Sequence, residues 1–72
     1  MKANINISQG ESTQDHVTRK VAKYLAKQDR VVSIKEVHEF LSLTDATVSR
    51  MTEQGFEKLA RSQVMAHAMR HM

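Results

Sequence analysis

The 72-residue chain contains no cysteine, no proline and no tryptophan, and only two glycines. Without cysteine the protein has neither disulfides nor thiolate metal sites, which excludes a disulfide-stabilised secreted domain and favours a reducing, cytoplasmic location. Without proline, and with few glycines, little in the sequence interrupts helices. The composition therefore predicts an all-α domain with short connections.

Long apolar runs are also missing from the sequence. No segment approaches the roughly 18 consecutive apolar residues of a membrane span, and the first four residues are not followed by the apolar core of a signal peptide. We therefore expect an unprocessed protein without membrane contact. A chain of this length forms one domain at most, with a thin core, so we expect it to gain stability from a partner.

The charge is unevenly distributed along the chain, which carries a formal net charge of +3. Basic residues dominate residues 13–28 and 56–72, whereas residues 33–54 are acidic. A net positive charge favours a polyanionic partner. If that partner is nucleic acid, most of the attraction must come from residues outside the acidic middle segment.

Hydrophobic periodicity predicts four helices in residues 12–72. Ser12 and Ser33 are suited to cap the first two helices, and Gly55 is suited to end the third in the left-handed conformation. The three residues 42–44 are expected to form a tight turn, with Thr44 capping the third helix. The predicted helices run from Thr13 to about Gln28, Ile34 to about Leu41, Asp45 to about Glu53, and Phe56 to about Ala68 or beyond.

Residues 1–11 are predicted to form an N-terminal arm that precedes the helical domain. Asn4 to Ser8 alternate polar and apolar residues as in a short strand, although a lone strand needs a partner. Two interpretations stay open: a flexible arm, or a strand paired across a dimer.

The segment from Ser33 to Gln54, above all the run LSLTDATVSR from Leu41 to Arg50, resembles the helix-turn-helix family of bacterial and phage regulators. Two short helices joined by a tight turn are the arrangement with which that family places a recognition helix in the DNA major groove. Five positions that lock the helices together in the family are apolar here: Val37, Leu41, Leu43, Val48 and Met51. Two positions depart from the pattern, because His38 replaces a common alanine and Ser42 a common glycine.

The resemblance implies a small transcriptional regulator, such as a repressor from a phage or plasmid, that binds double-stranded DNA as a homodimer. Base contacts are expected from the exposed face of the third helix, and phosphate contacts mainly from the first. The expected base-contacting residues are Asp45, Ala46, Thr47, Ser49, Arg50 and Glu53. The expected phosphate-contacting residues are Arg19, Lys20, Lys23, Lys27, Lys35 and Thr44.

Other interpretations of the same segment remain open. A small helical protein-binding module, an inhibitor or adaptor, would present the acidic face to a protein without specific DNA binding. A ribbon-helix-helix dimer would use residues 4–8 as its ribbon, although residues 9–12 intervene before the first helix. A winged helix is disfavoured, because a helical pattern rather than a β-hairpin follows Gly55.

The remaining chemical signals in the sequence are weak. His67 and His71 have the spacing of two metal ligands, but no full ligand set accompanies them, and we interpret them as a solvated helix end. No nucleophile has a visible base and orienting group, so we expect neither enzymatic activity nor a cofactor. Met65, Met69 and Met72 are adaptable apolar residues, and the homodimer is expected to form through the fourth helix or the arm.

Overall fold

The computed structural model of the protein describes residues 12–72. Within this range the chain forms a compact bundle of four helices and contains no strand. The helices are α1 (Thr13–Ala26), α2 (Ile34–Thr44), α3 (Ala46–Ser49) and α4 (Glu53–Arg70). The prediction of an all-α domain of four helices is confirmed, while both interpretations of the N-terminal arm concern residues outside the described range.

The starts of α1 and α2 are fixed by serine side chains. The Ser12 hydroxyl accepts a hydrogen bond from the Asp15 amide at 3.1 Å, and the Ser33 hydroxyl accepts one from the Glu36 amide at 3.0 Å. Each bond satisfies an amide that the first helical turn leaves unpaired. Both predicted N-caps are confirmed, and α1 ends only slightly earlier than predicted.

The connection between α2 and α3 differs from the predicted turn. Residues 42–44 form the last turn of α2, and the Asp45 amide still donates to the Leu41 carbonyl at 2.7 Å. Nothing in these three residues breaks a helix, so α2 continues until Asp45 adopts an extended backbone. The N-cap of α3 is therefore Asp45 and not Thr44, whose hydroxyl donates back to the Leu41 carbonyl.

The predicted end of the third helix at Gly55 is also wrong. α3 stops at Ser49, and Thr52 caps a new helix by accepting a hydrogen bond from the Gly55 amide at 3.0 Å. Gly55 lies in the first turn of α4 with a negative φ. The cap at Thr52, and not Gly55, therefore sets the start of α4. The helix begins three residues before the predicted Phe56.

The core lies where α1, α2 and α4 meet, with α3 packed against α2. Val32 precedes the N-cap of α2 and Val37 follows it in the first turns, and both are buried in the arrangement of a hydrophobic staple. The apolar faces of α1 and α4 supply most of the rest. The buried apolar residues are Val17, Val21, Leu25, Val32, Val37, Leu41, Val48, Phe56, Ala60 and Val64. None of the helices formed by residues 12–72 combines the length and hydrophobicity that crossing a membrane requires.

Candidate nucleic-acid interface

The α2–α3 pair is held together by buried apolar residues. Val37, Leu41 and Val48 are buried, and Met51 is partly buried against the same core. Leu43, the fifth expected locking residue, is 85% exposed. Because α2 continues past Leu41, Leu43 lies about 200° around the helix from it and points away from the core.

Asp45 fixes the start of α3 and contacts α1. One carboxylate oxygen accepts hydrogen bonds from the amides of Thr47 at 2.9 Å and Val48 at 3.2 Å. The other accepts from Nε2 of His16 at 2.7 Å and lies 4.0 Å from the Lys20 ammonium. The side chain is only 8% exposed. The expectation that Asp45 reads a base is therefore corrected, because both of its oxygens are already engaged within the protein.

The environment of Asp45 also changes its acidity. Partial burial raises the pKa of this carboxyl, but the hydrogen bonds from His16, Val48 and Thr47 and the charge of His16 outweigh burial. The net result is a pKa below the ordinary aspartate value. The carboxylate is thus held in its charged form at neutral pH.

The other expected base-contacting residues surround a short helix. Ala46, Ser49 and Arg50 are exposed, and Thr47 is partly buried. Arg50 is the C-cap residue of α3, and Glu53 lies exposed at the start of α4. The exposed surface of α3 is thus about one helical turn, shorter than the predicted helix through Glu53.

The structure groups most, but not all, of the expected phosphate-contacting residues. Arg19, Lys23 and Lys27 are exposed on α1, and Lys20 is partly exposed. Lys20, Lys23 and Lys27 line one groove with Thr44 of α2. Arg19 lines a neighbouring depression with Lys20 and Lys23. Lys35 is exposed in the first turn of α2, at the opposite end of that helix from Thr44.

Histidines occupy structural positions that the sequence did not reveal. His38 donates a hydrogen bond from Nε2 to the Met51 carbonyl at 3.2 Å, which satisfies its polar ring beside Phe56. His67 is only 2% exposed and donates from Nε2 to the Arg30 carbonyl at 2.9 Å. The interpretation of His67 as part of a solvated helix end is wrong, whereas His71 is exposed.

A polar cluster joins α1, the following loop and α2. Arg30 pairs with the Glu36 carboxylate, and the Tyr24 hydroxyl donates to the same carboxylate at 3.4 Å. The hydrogen bond from Arg30 holds the pKa of Glu36 below its ordinary value. Burial, followed by the charge of Glu36, raises the pKa of Tyr24. The cluster therefore keeps Tyr24 in place beside the groove that the α1 lysines line.

The groove also contains an aromatic pair that the sequence-based site omitted. The rings of Tyr24 and Phe40 lie 4.7 Å apart, and Phe40 is 46% exposed. Phe40 and Leu43 are three residues apart, and neither lies on the face of α2 that carries Val37 and Leu41. This spacing is the signal that could have indicated an exposed apolar surface.

No group of three or more histidine, cysteine, aspartate or glutamate side chains within residues 12–72 is placed to hold a metal ion. Comparisons of this chain with protein-family models, with curated proteins and with solved structures found no match.

Proposed function

We propose that this chain binds double-stranded DNA sequence-specifically as a small transcriptional regulator, with α2 and α3 acting as a helix-turn-helix. The observation that carries the proposal is the two-sided packing of α3. Val48 is buried against α2, while Ala46, Ser49 and Arg50 are exposed on the other side. A helix fixed on a core and exposed along one edge has the form required for insertion into the major groove.

Arg50 is the principal base-reading residue in this proposal. Its guanidinium donates two hydrogen bonds in a geometry that matches O6 and N7 of guanine. Ser49 donates or accepts, and the methyl groups of Ala46 and Thr47 pack against a thymine methyl. Glu53 accepts from the cytosine amine at the edge of the contact. Because the exposed surface is short, each copy reads only a few base pairs.

The α1 lysines supply the attraction to phosphate in this proposal. Lys23 and Lys27 have no acidic partner among residues 12–72. α1 packs beside the start of α3, as the His16–Asp45 bond demonstrates. Binding therefore combines base contacts from α3 with sequence-independent contacts from α1, which compensates for the acidic residues of α2.

A homodimer completes the proposal, because one short recognition helix reads too little DNA to select a site. Recognition helices commonly act in pairs about 34 Å apart, one helical turn of DNA. Met65, Met69 and Met72 are all exposed, and their spacing places Met65 and Met69 on one face of α4. We propose that this methionine row joins two copies.

The experiment that tests the proposal is selection of bound duplexes from a random DNA pool at near-physiological salt. The native protein, Arg50→Ala and the matched control Arg61→Ala, which removes an exposed arginine of α4, are run in parallel. We expect the native protein and Arg61→Ala to enrich one defined site. Arg50→Ala should lose discrimination at one base pair by about 1–3 kcal/mol.

Lysine variants separate specific from nonspecific contacts on the selected site. Lys23→Ala should weaken binding to all sequences about equally and reduce the salt slope by about one, whereas Lys58→Ala, near the start of α4 and about 10 Å along the helix from Met65, should not. If the native protein enriches no sequence, or if Arg50→Ala selects the same site with equal stringency, the DNA proposal fails. The protein-binding interpretation then takes its place.

A further inference from the structure

The groove between α1 and the C-terminal half of α2 is more apolar than a phosphate-binding surface requires. It has a volume of about 280 Å³, and its walls include Lys20, Lys23, Tyr24, Lys27, Phe40 and Leu41. Pockets for drug-sized ligands hold about 300–1,000 Å³. The groove is therefore suited to one or two side chains of a larger partner rather than to a whole small molecule.

The charge along one wall of the groove is positive and regularly spaced. Lys20, Lys23 and Lys27 follow the i, i+3, i+7 pattern, so they lie along one face of α1 over about 10 Å. Lys20 lies near the Asp45 carboxylate. Lys23 and Lys27 have no carboxylate partner within the described part of the chain. An occupant with two carboxylates one helical turn apart would neutralise both lysines.

The other side of the groove is apolar and open to solvent. Phe40, which lines this side, is 46% exposed, and Leu43, one helical turn further along α2 and outside the groove lining, is 85% exposed. Burying this apolar surface is favourable, and an aliphatic or aromatic side chain can bury it, whereas a sugar–phosphate backbone cannot. The apolar side thus favours a protein occupant.

We infer that this groove binds an acidic amphipathic helix of a partner protein. One or two large apolar side chains of that helix enter between the α1 wall, formed by Tyr24 and the lysine stems, and Phe40 of α2. Its carboxylates lie opposite Lys23 and Lys27. This is helix-in-groove recognition, in which apolar anchors give affinity and flanking charges set register and orientation.

The same groove is less suited to single-stranded nucleic acid, which also combines basic and aromatic side chains. Bases stack on free aromatic faces. Here the rings of Tyr24 and Phe40 pack against each other at 4.7 Å with a 32° tilt, and the Tyr24 hydroxyl is held by Glu36. Each ring therefore covers part of the face that a base would need.

The test is selection from a displayed library of random peptides of about 16 residues, long enough for about four helical turns. The full-length native protein is the target. Enriched peptides are synthesised with a fluorophore, and their affinities are measured by anisotropy in the absence of DNA. This inference does not depend on the proposed DNA binding, because the probes contain no nucleic acid.

We expect the enriched peptides to carry at least two carboxylates flanking large apolar residues at helical spacing. Phe40→Ala and the double variant Lys23→Glu/Lys27→Glu should each weaken binding by about tenfold or more. The matched controls are Val31→Ala, an apolar residue of similar exposure, and Lys58→Glu on α4; both should bind as the native protein does. Circular dichroism verifies that each variant is folded, and the lysine variant involves only exposed side chains.

Three outcomes would overturn the inference. The enriched peptides could lack carboxylates, or bind equally well when Phe40 or the two lysines are changed. Alternatively, an oligothymidine strand could bind with the same dependence on Phe40 and displace the peptide, which would assign the groove to nucleic acid.

Discussion

Three histidine side chains each tie two distant parts of the chain together. His16 joins α1 to the cap of α3, His38 joins α2 to the segment before α4, and His67 joins α4 to the loop after α1. In each case Nε2 donates, because its partner is a carboxylate or a carbonyl that only accepts. The fold therefore depends on polar bridges as well as on its thin apolar core.

His67 makes the bridge with the largest expected effect on stability. His67→Ala removes a buried ring and leaves the Arg30 carbonyl without its donor, so the free energy of unfolding should fall by about 2 kcal/mol or more. His71→Ala, four residues later on an exposed side chain, should change it by less than about 0.5 kcal/mol. Urea denaturation at neutral pH measures both. Equal effects of the two substitutions would refute the buried bridge.

Asp45 gives the stability a defined dependence on pH. Its pKa is lowered in the folded state, so its contribution is present above the unfolded value of about 3.9 and is lost as pH falls through the folded value. Asp45→Asn retains a good N-cap but has no titrating carboxyl. We expect the variant to be less stable at neutral pH and to lose less stability than the native protein below about pH 4. Thermal unfolding of both proteins across this pH range tests the prediction. Parallel curves of Tm against pH for the two proteins would contradict it.

The caps of the helices illustrate which side-chain contacts the sequence could predict and which it could not. Ser12 and Ser33 were identified as caps because the bonds they accept are local. At the start of α3, Thr44 and Asp45 are both good caps, and the local sequence does not distinguish them. The contact that distinguishes Asp45 from Thr44 comes from His16, 29 residues earlier in the chain. The burial of His67 likewise depends on Arg30, 37 residues away.

The boundary between α3 and α4 is set by Thr52 rather than by Gly55. Thr52→Ala removes the acceptor for the Gly55 amide and should destabilise the protein by about 1 kcal/mol, or about 4–8 °C in Tm. Ser62→Ala, an exposed residue within α4, should have no cost because alanine favours helices. Differential scanning calorimetry measures the Tm of both variants and of the native protein. If Thr52→Ala is neutral, α4 does not begin at this cap.

At the scale of helices, apolar periodicity predicted α1 and α4 well, because the apolar face of each repeats over several turns. The short elements were harder to predict. Residues 42–44 contain no strong helix breaker, so a turn and a further turn of α2 are both compatible with the local sequence. That difference of one turn places Leu43 on the surface instead of in the α2–α3 contact.

Residues 12–72 offer two separate surfaces, one on α1, α2 and α3 and one on the methionine row of α4. In the proposed homodimer, which the methionine row of α4 joins, the α3 helices remain free for the proposed contact with DNA. Met69→Glu places a charge in that row and should convert the proposed dimer to a monomer, because an unpaired buried carboxylate is strongly unfavourable. Sedimentation equilibrium measures the mass of each species.

Leu43→Glu is the matched control for this change, since it introduces the same charge at an equally apolar and exposed site on α2. It should leave the dimer intact. A monomeric native protein, or dissociation caused by Leu43→Glu and not by Met69→Glu, would move the interface away from α4. In the second case two copies would meet beside α3, and the recognition surfaces would be too close to engage successive turns of one duplex.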